Sequence, residues 1–344
     1  MRLAAALLAV VPALAAWPRF SWDTLPVFYH SCNFTGPYSD SAIAIMAKFD
    51  MVTIEKGQGY LTPGFAEDKI VAELARVKAL DKNISTIMYL NSLLDWEFYR
   101  LHNEFDARPA LWLNETSAPD TPIRVHGDHT FPQPSDGMLT FDSRNPDMRA
   151  LYISVCVNAT KTGFVDGCFS DRAINAAFKG LSAAANADFN ASHLLLHQEM
   201  QQALTWDGVL IANHAYTFPE VNAAQVENFM ADEMSILNLM EGVARGKIMQ
   251  AHAGYGMGDN HCDDITDTLA AFLIGAGSRS YYACSQSWNI GIDPVTKAWH
   301  EEYDKPLGAP LGPATKTAGV YRRNFQHVNV TFDTATSKGT LAWF

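Results

Sequence analysis

Three carboxylates stand where short apolar runs of the chain end: Glu55 after Met51 to Ile54, Asp171 at the close of Gly163 to Asp171, and Glu227 within Ala224 to Phe229. A carboxylate amid a buried strand is costly unless it is paired or put to use. Two carboxyl groups facing each other across a cleft place an acid on one side of a bond and a base or nucleophile on the other, which is acid–base chemistry of the glycoside-cleaving kind. Asp171 is the strongest candidate; its competing reading is an N-cap for the run Arg172 to Ala176. Glu227 is the second, unless residues 222–244 form one long surface helix. Glu55 reads as a substrate clamp, an acid or half of an ion pair, with Lys56 alternating to the other face. Asp166 precedes Asp171 by an odd number of residues, so the two point to opposite faces. Asp166 therefore reads as structural, and only secondarily as catalytic.

His30, His214 and His252 each end an apolar run. A lone histidine of this kind is more often a satisfied core or rim residue, but three on one rim suit hydroxyl contacts. Together with Asp171 they have the residue types of a zinc site, yet no H-E-x-x-H or H-x-H spacing supports one, so no metal and no cofactor is expected. No G-x-S-x-G elbow marks a serine nucleophile. Asn91 and Asp95 extend the polar set, and Tyr255 and Trp288 are the aromatics best placed to stack on a sugar face. Trp96, Tyr99, Trp112 and Tyr216 read more readily as packing. The full set of polar residues at the run ends also holds Lys56, Arg172, Asn213, Gln250, Ser285 and Gln286.

Elements that would gather these residues at one mouth are legible. Eight short apolar runs begin at Pro26, Met51, Ser85, Gly163, Gly208, Ala224, Lys247 and Ser280. Such runs suit parallel strands covered by helices. Helical periodicity falls between them at residues 67–80, 146–159, 232–244 and 263–274. Strand then helix, eight times over, is the pattern of an α/β (β/α)8 TIM barrel, whose chemistry sits at the C-terminal strand ends. An open doubly wound sheet is the alternative, but no G-x-G-x-x-G follows an early strand. The expected organisation is a signal peptide at 1–16, a barrel over 17–285 with a long excursion at 97–140, and a C-terminal extension at 286–344 ending in a β-hairpin.

Residues 1–16 carry one arginine, an apolar run and the triplet Ala13-Leu14-Ala15, the form of a secretory signal. Six N-glycosylation sequons begin at Asn33, Asn83, Asn114, Asn158, Asn190 and Asn329, which fits a glycosylated secreted protein. A glycan on Asn33 would crowd the active face. The five cysteines allow two disulfides and one thiol in an oxidising compartment. Connectivity stays open, with Cys262–Cys284 favoured because both fall near one end of the fold. The formal charge of −12 argues against nucleic acid and anionic membrane as partners. After signal cleavage nothing else spans a membrane, and a monomer acting on carbohydrate is the expected state.

Two stretches carry a family resemblance. The segment from Leu139 to Arg149 (LTFDSRNPDMR) and the strand from Gly163 to Asp171 (GFVDGCFSD) resemble glycoside hydrolases of the (β/α)8 fold. So does the tail from Lys305 through Val320-Tyr-Arg-Arg-Asn-Phe to Asp333. The chain is similar, over roughly residues 26–344, to the hypothetical glycosyl hydrolase family 15 group. Val165 stands before Asp166 where relatives often have phenylalanine. The resemblance implies that Asp171 is the catalytic carboxylate of strand four and Glu227 the acid/base of strand six. Rival expectations are a non-catalytic carbohydrate-binding barrel, a metal-dependent deacetylase and a lyase.

Overall fold

The structure is a computed structural model. It describes residues 17–127, 133–205, 207–254, 262–285, 288 and 298–344. Eight strands form one parallel sheet: β1 (Phe28–Ser31), β2 (Met51–Ile54), β3 (Ser85–Asn91), β4 (Gly167–Asp171), β5 (Val209–Asn213), β6 (Ala223–Glu227), β7 (Ile248–Ala253) and β8 (Ser280–Cys284). They pair in chain order, and a parallel bridge from Tyr282 to Val27, with Tyr282 N donating to Pro26 O at 3.0 Å, brings the last strand back to the first. The result is a nearly closed (β/α)8 barrel.

Alternation decides what fills it. Phe28, Met51, Ile87, Tyr89, Phe169, Val209, Ile211, Ala223, Ile248, Tyr281 and Ala283 form one buried cluster, at every second position of their strands, and so face the barrel axis. The period continues upward to Asn91, Asp171, Asn213, Glu227 and His252. The same alternation that packs the barrel therefore delivers a polar ring to its C-terminal mouth.

Helices α1 (Asp40–Met46), α2 (Ala66–Leu80), α3 (Arg100–Asp106), α4 (Pro146–Thr160), α5 (Ala183–Ala203), α6 (Glu233–Ala244) and α7 (Thr266–Gly275) cover the outside. Local sequence starts them: Asn145 caps α4 ahead of Pro146, and Ser182 and Asp232 cap α5 and α6. The regular strand–helix expectation fails between β5 and β6. Residues 214–222, between β5 and β6, hold turns and no helix. There the Lys247 ammonium donates to the carbonyls of Phe218 and Val221, and the Asn222 amide nitrogen donates to Gly208 O at 2.8 Å. Side chains thus satisfy the carbonyls that a helix would otherwise have paired. The excursion carries α3, a short 3-10 turn at Pro109–Leu111 and a two-stranded ribbon of Arg124–Val125 with Met138–Leu139.

The expected C-terminal hairpin is the last part of something larger. Strands β9 (Thr315–Thr317), β10 (Val320–Asn324), β11 (Val328–Asp333) and β12 (Lys338–Trp343) make a four-stranded antiparallel sheet. It lies against α7, which is apolar around its whole circumference because the barrel covers one side and this sheet the other. At Gly339 an added Cβ would stand 2.4 Å from the Ala270 Cβ, so the approach needs glycine. The Arg323 guanidinium donates to Leu273 O at 2.8 Å, satisfying a carbonyl in the last turn of α7.

Two disulfides are formed, Cys156–Cys168 and Cys262–Cys284, and Cys32 is a buried free thiol. Among the described residues no helix is long and apolar enough to cross a membrane.

Candidate active site

The mouth of the barrel opens into a cavity of about 440 Å³, lined by residues that include His30, Glu55, Lys56, Tyr89, Asp171, Arg172, Asn213, His214, Glu227 and Trp288. That volume is in the range of a small-ligand site.

Asp171 ends β4 and is held from several sides. Its Oδ2 accepts from the Tyr89 hydroxyl at 2.6 Å and from Asn91 Nδ2 at 3.0 Å. Its Oδ1 accepts from Asn213 Nδ2 at 3.0 Å and from the Arg172 amide at 2.7 Å. Burial opposes its charge, but the Lys56 ammonium and the bonds from Tyr89 and Asn213 outweigh burial, and the carboxyl lies below the usual carboxylate range. Its backbone is fixed too. The Ser92 hydroxyl donates to Asp171 O at 2.7 Å and is itself bonded to His193 on α5 at 2.9 Å.

Glu227 ends β6. Its Oε2 accepts from the same Asn213 Nδ2, and His214 Nε2 stands 3.8 Å away. Burial first, and the negative charge of Asp171 second, push its pKa up to about 7. The two carboxyls are thus driven in opposite directions, one kept ionised and one kept protonated near neutrality. Because a planar amide NH2 directs its two hydrogens about 120° apart, two oxygens bonded to it sit about 5 Å from each other.

Glu55 lies just past the end of β2. It bonds His30 Nε2 at 3.1 Å through Oε1 and Lys56 Nζ at 2.8 Å through Oε2. Lys56 does not turn to the opposite face as alternation suggests. The strand ends at Ile54, so the period of two no longer applies, and Lys56 enters the cavity with its ammonium 4.5 Å from the Tyr89 ring centre.

The remaining expected residues separate into those at the cavity and those behind it. His30, His214 and Trp288 line it. Asn91 is buried with both ends used, Nδ2 on Asp171 and Oδ1 accepting from the amides of Leu93 and Leu94, so it touches Asp171 instead of open space. Asp95 faces a neighbouring hollow and pairs with His102 Nδ1 at 2.6 Å. His252 is fully buried behind Trp288, stacked on it at 4.2 Å and bonded to Ser285 Oγ at 2.8 Å. His30 and His252 thus both pack on Trp288, their ring centres 6.3 Å apart, while His214 stands apart from them beside Glu227. Tyr255 and Gln286 lie outside the described residues. Asp166 sits at the other end of β4, accepting from Thr86 N at 2.8 Å and paired with Lys78 at 2.6 Å, where it ties β4 to β3 and α2. Asn33 is buried, its Nδ2 donating to Pro37 O and its Oδ1 accepting from Thr35, so this sequon lies inside the fold and no glycan on it crowds the mouth.

Lys56, Tyr89, Asn213 and Arg172 were not singled out by sequence, although three of them fall in its polar set. Tyr89 had a usable signal: it stands two residues before Asn91 and so shares its face.

The eight-stranded parallel barrel, with helices outside it, is a glycoside hydrolase-like TIM barrel. The chain matches the family described as Hypothetical glycosyl hydrolase family 15 over residues 78–329 and belongs to that family of glycoside hydrolases. Similar solved structures include a maltogenic alpha-amylase, AmyB, from Thermotoga neapolitana, at 12% identity and a TM-score of 0.53, covering 90% of this chain and 86% of that one. The cyclic alpha-maltosyl-(1→6)-maltose hydrolase of Arthrobacter globiformis is similar at 12% identity and a TM-score of 0.50, with coverages of 95% and 97%. Alpha-L-fucosidase isoenzyme 2 of Paenibacillus thiaminolyticus is similar at 11% identity and a TM-score of 0.52, with coverages of 79% and 48%. At such identities the likeness is one of fold. No curated protein is similar enough to the chain to count as a match.

Proposed function

We propose that the protein hydrolyses O-glycosidic bonds of an oligo- or polysaccharide with retention of anomeric configuration. Asp171 is the nucleophile and Glu227 the general acid, then base. The observation that carries this reading is the single Asn213 amide shared by the two carboxyls. Two oxygens about 5 Å apart on one amide suit a covalent glycosyl-enzyme, whose carboxyls stand about 5–5.5 Å apart, better than the about 6.5–9.5 Å that leaves room for a water. Glu227, protonated up to about pH 7, gives its proton to the leaving oxygen. Asp171, ionised and held by Tyr89, Asn91 and Asn213, attacks the anomeric carbon, and Glu227 then takes a proton from the water that releases the sugar.

Glu55, His30, His214 and Trp288 contact the sugar in this scheme, while Asn91 and His252 support the groups that do. Asp95 serves the neighbouring hollow. The signal-like residues 1–16, two disulfides and exposed sequons at Asn83, Asn158 and Asn329 support a secreted, glycosylated, monomeric protein. The test is a polysaccharide hydrolysis screen of the wild type beside Asp171→Asn and Glu227→Gln, with the first-formed anomer followed by NMR. Both variants should lose activity, and the product should keep the substrate's configuration. Full activity in both variants, or an inverted first product, contradicts the assignment.

A further inference from the structure

One cation at the cavity meets no bonding partner among the described residues. Arg172 follows Asp171 directly and lines the cavity. Its backbone amide serves Asp171. Its guanidinium makes no hydrogen bond or ion pair with any described residue, although the chain carries an excess of acid. Of the other arginines described, only Arg322, exposed on the C-terminal sheet, is similarly bare. The rest meet carboxylates, carbonyls or a ring, as Arg149 meets Glu199 and Arg323 meets Leu273 O. The cavity's second cation, Lys56, is already committed to Glu55.

The backbone makes the same point. Arg172 has φ 55°, in the left-handed region, as do His214 at 58° and Asn228 at 54°. Each follows the last residue of its strand, and so stands next to Asp171, Asn213 and Glu227. For arginine and histidine this conformation is strained, and glycine would adopt it freely. Strain of this kind persists at sites where a side chain is needed in a fixed place.

We propose that Arg172 reads an anionic substituent, a carboxylate or a sulfate ester, on the sugar bound in the cavity. The planar fork of a guanidinium matches such oxygens with two parallel hydrogen bonds. With Glu227 protonated and Glu55 paired to Lys56, the negative charge of Asp171 remains inside and the guanidinium stands beside it at the mouth. An acidic sugar therefore meets a cation there despite the overall charge of −12, whose more distant contributions are screened beyond about 8 Å at physiological salt. The inference rests on the carbohydrate reading above and narrows its substrate.

Binding tests it without turnover. Trimers of galacturonate and of glucuronate, their methyl esters, and sulfated and unsulfated galactan trimers are titrated calorimetrically into Glu227→Gln protein and into Glu227→Gln/Arg172→Gln protein. At least one acidic trimer should bind about tenfold tighter than its neutral counterpart, with an affinity that falls as salt rises. Arg172→Gln should reduce that preference to less than twofold, and Arg172→Lys should retain part of it. Which acidic series shows the preference distinguishes carboxylate from sulfate. Arg172→Gly should melt at or above the parent temperature while losing the preference, separating the side chain's role from folding. No preference in any series, or a preference untouched by Arg172→Gln, overturns the proposal. Hydrolysis of glycans by the wild type with no preference in either acidic series would sink it while leaving the glycosidase reading intact. An Arg172-dependent preference with no hydrolysis by the wild type would do the reverse.

Discussion

Asp171 and Glu227, from strands β4 and β6, share one donor: the Nδ2 of Asn213 on the strand between them bonds Oδ1 of the first and Oε2 of the second. The amide fixes their spacing and stabilises charge on whichever carboxyl is ionised. Charge-assisted hydrogen bonds of this type are worth about 1.5–3 kcal/mol each. Asn213→Ala should therefore lower kcat/KM by at least about 10²-fold with a modest change in melting temperature. A loss below tenfold would show that the bridge does not set the catalytic geometry.

The opposed pKa directions shape the pH profile. Activity needs Asp171 ionised and Glu227 protonated. Asp171 lies below the usual carboxylate range, so the acid limb of kcat/KM should fall below pH 4. Glu227 is raised to about 7, so the alkaline limb should fall near neutrality. An optimum near pH 5–6 follows, and an alkaline limb above pH 9 would exclude Glu227 as the acid.

The same shift has a stability counterpart. Glu227 goes from 4.5 in the unfolded chain to about 7 in the fold. The folded state binds that proton more tightly, so this contribution is favourable below about pH 4.5 and is lost as pH rises through about 7. At about 1.4 kcal/mol per pH unit the penalty above pH 7 is of the order of 3–4 kcal/mol. Glu227→Gln cannot ionise and should melt higher than wild type at pH 8, with the gap closing by pH 5. Thermal melts at the two pH values check this, and an equal gap at both would locate the effect in packing.

Lys56 links the ion pair to Asp171. Lys56→Met leaves Glu55 buried beside His30 and removes the charge that does most to hold Asp171 low. Breaking a buried pair costs about 3–5 kcal/mol. The variant should melt several degrees lower, and the acid limb of its pH profile should move up. Lower stability with an unmoved acid limb would leave Lys56 a purely structural role.

The barrel was legible because its signal is strictly local. Each strand is a short apolar run between polar ends, and all eight fall where the runs predict them. The misses have specific causes. Helix α5 has His193 and His197 on its buried side, bonded to Ser92 and Ser170, so its apolar stripe is broken by polar residues and does not read as a helix face. The absent helix between β5 and β6 is replaced in part by the side chain of Lys247, which lies outside the segment it completes. In the site, strand ends identified Asp171 and Glu227 as a facing pair, because alternation carries them inward. What each polar residue faces is a matter of neighbours from other strands. Sequence therefore offered Asn91 to a sugar when it is consumed by Asp171, and gave Asn213, which joins the pair, no separate role.

The Cys262–Cys284 disulfide ties the chain ahead of α7 to the end of β8, beside one wall of the cavity. Cys284 precedes Ser285, which bonds His252, and Trp288 stacks on that histidine. Trp288 O also accepts from the Cys32 amide at 3.0 Å. Opening this disulfide frees a loop whose closure is worth about 3 kcal/mol in the unfolded-chain account, and it loosens the support of an aromatic ring that lines the cavity. Cys262→Ser/Cys284→Ser should lower the melting temperature and raise KM more than it lowers kcat, since Asp171 and Glu227 lie on other strands. Thiol titration of the wild type in denaturant should find one reactive group, Cys32, and all five cysteines only after reduction. Three thiols before reduction would mean that one of the two bridges is not formed, and an unchanged KM in the double variant would detach Trp288 from this support.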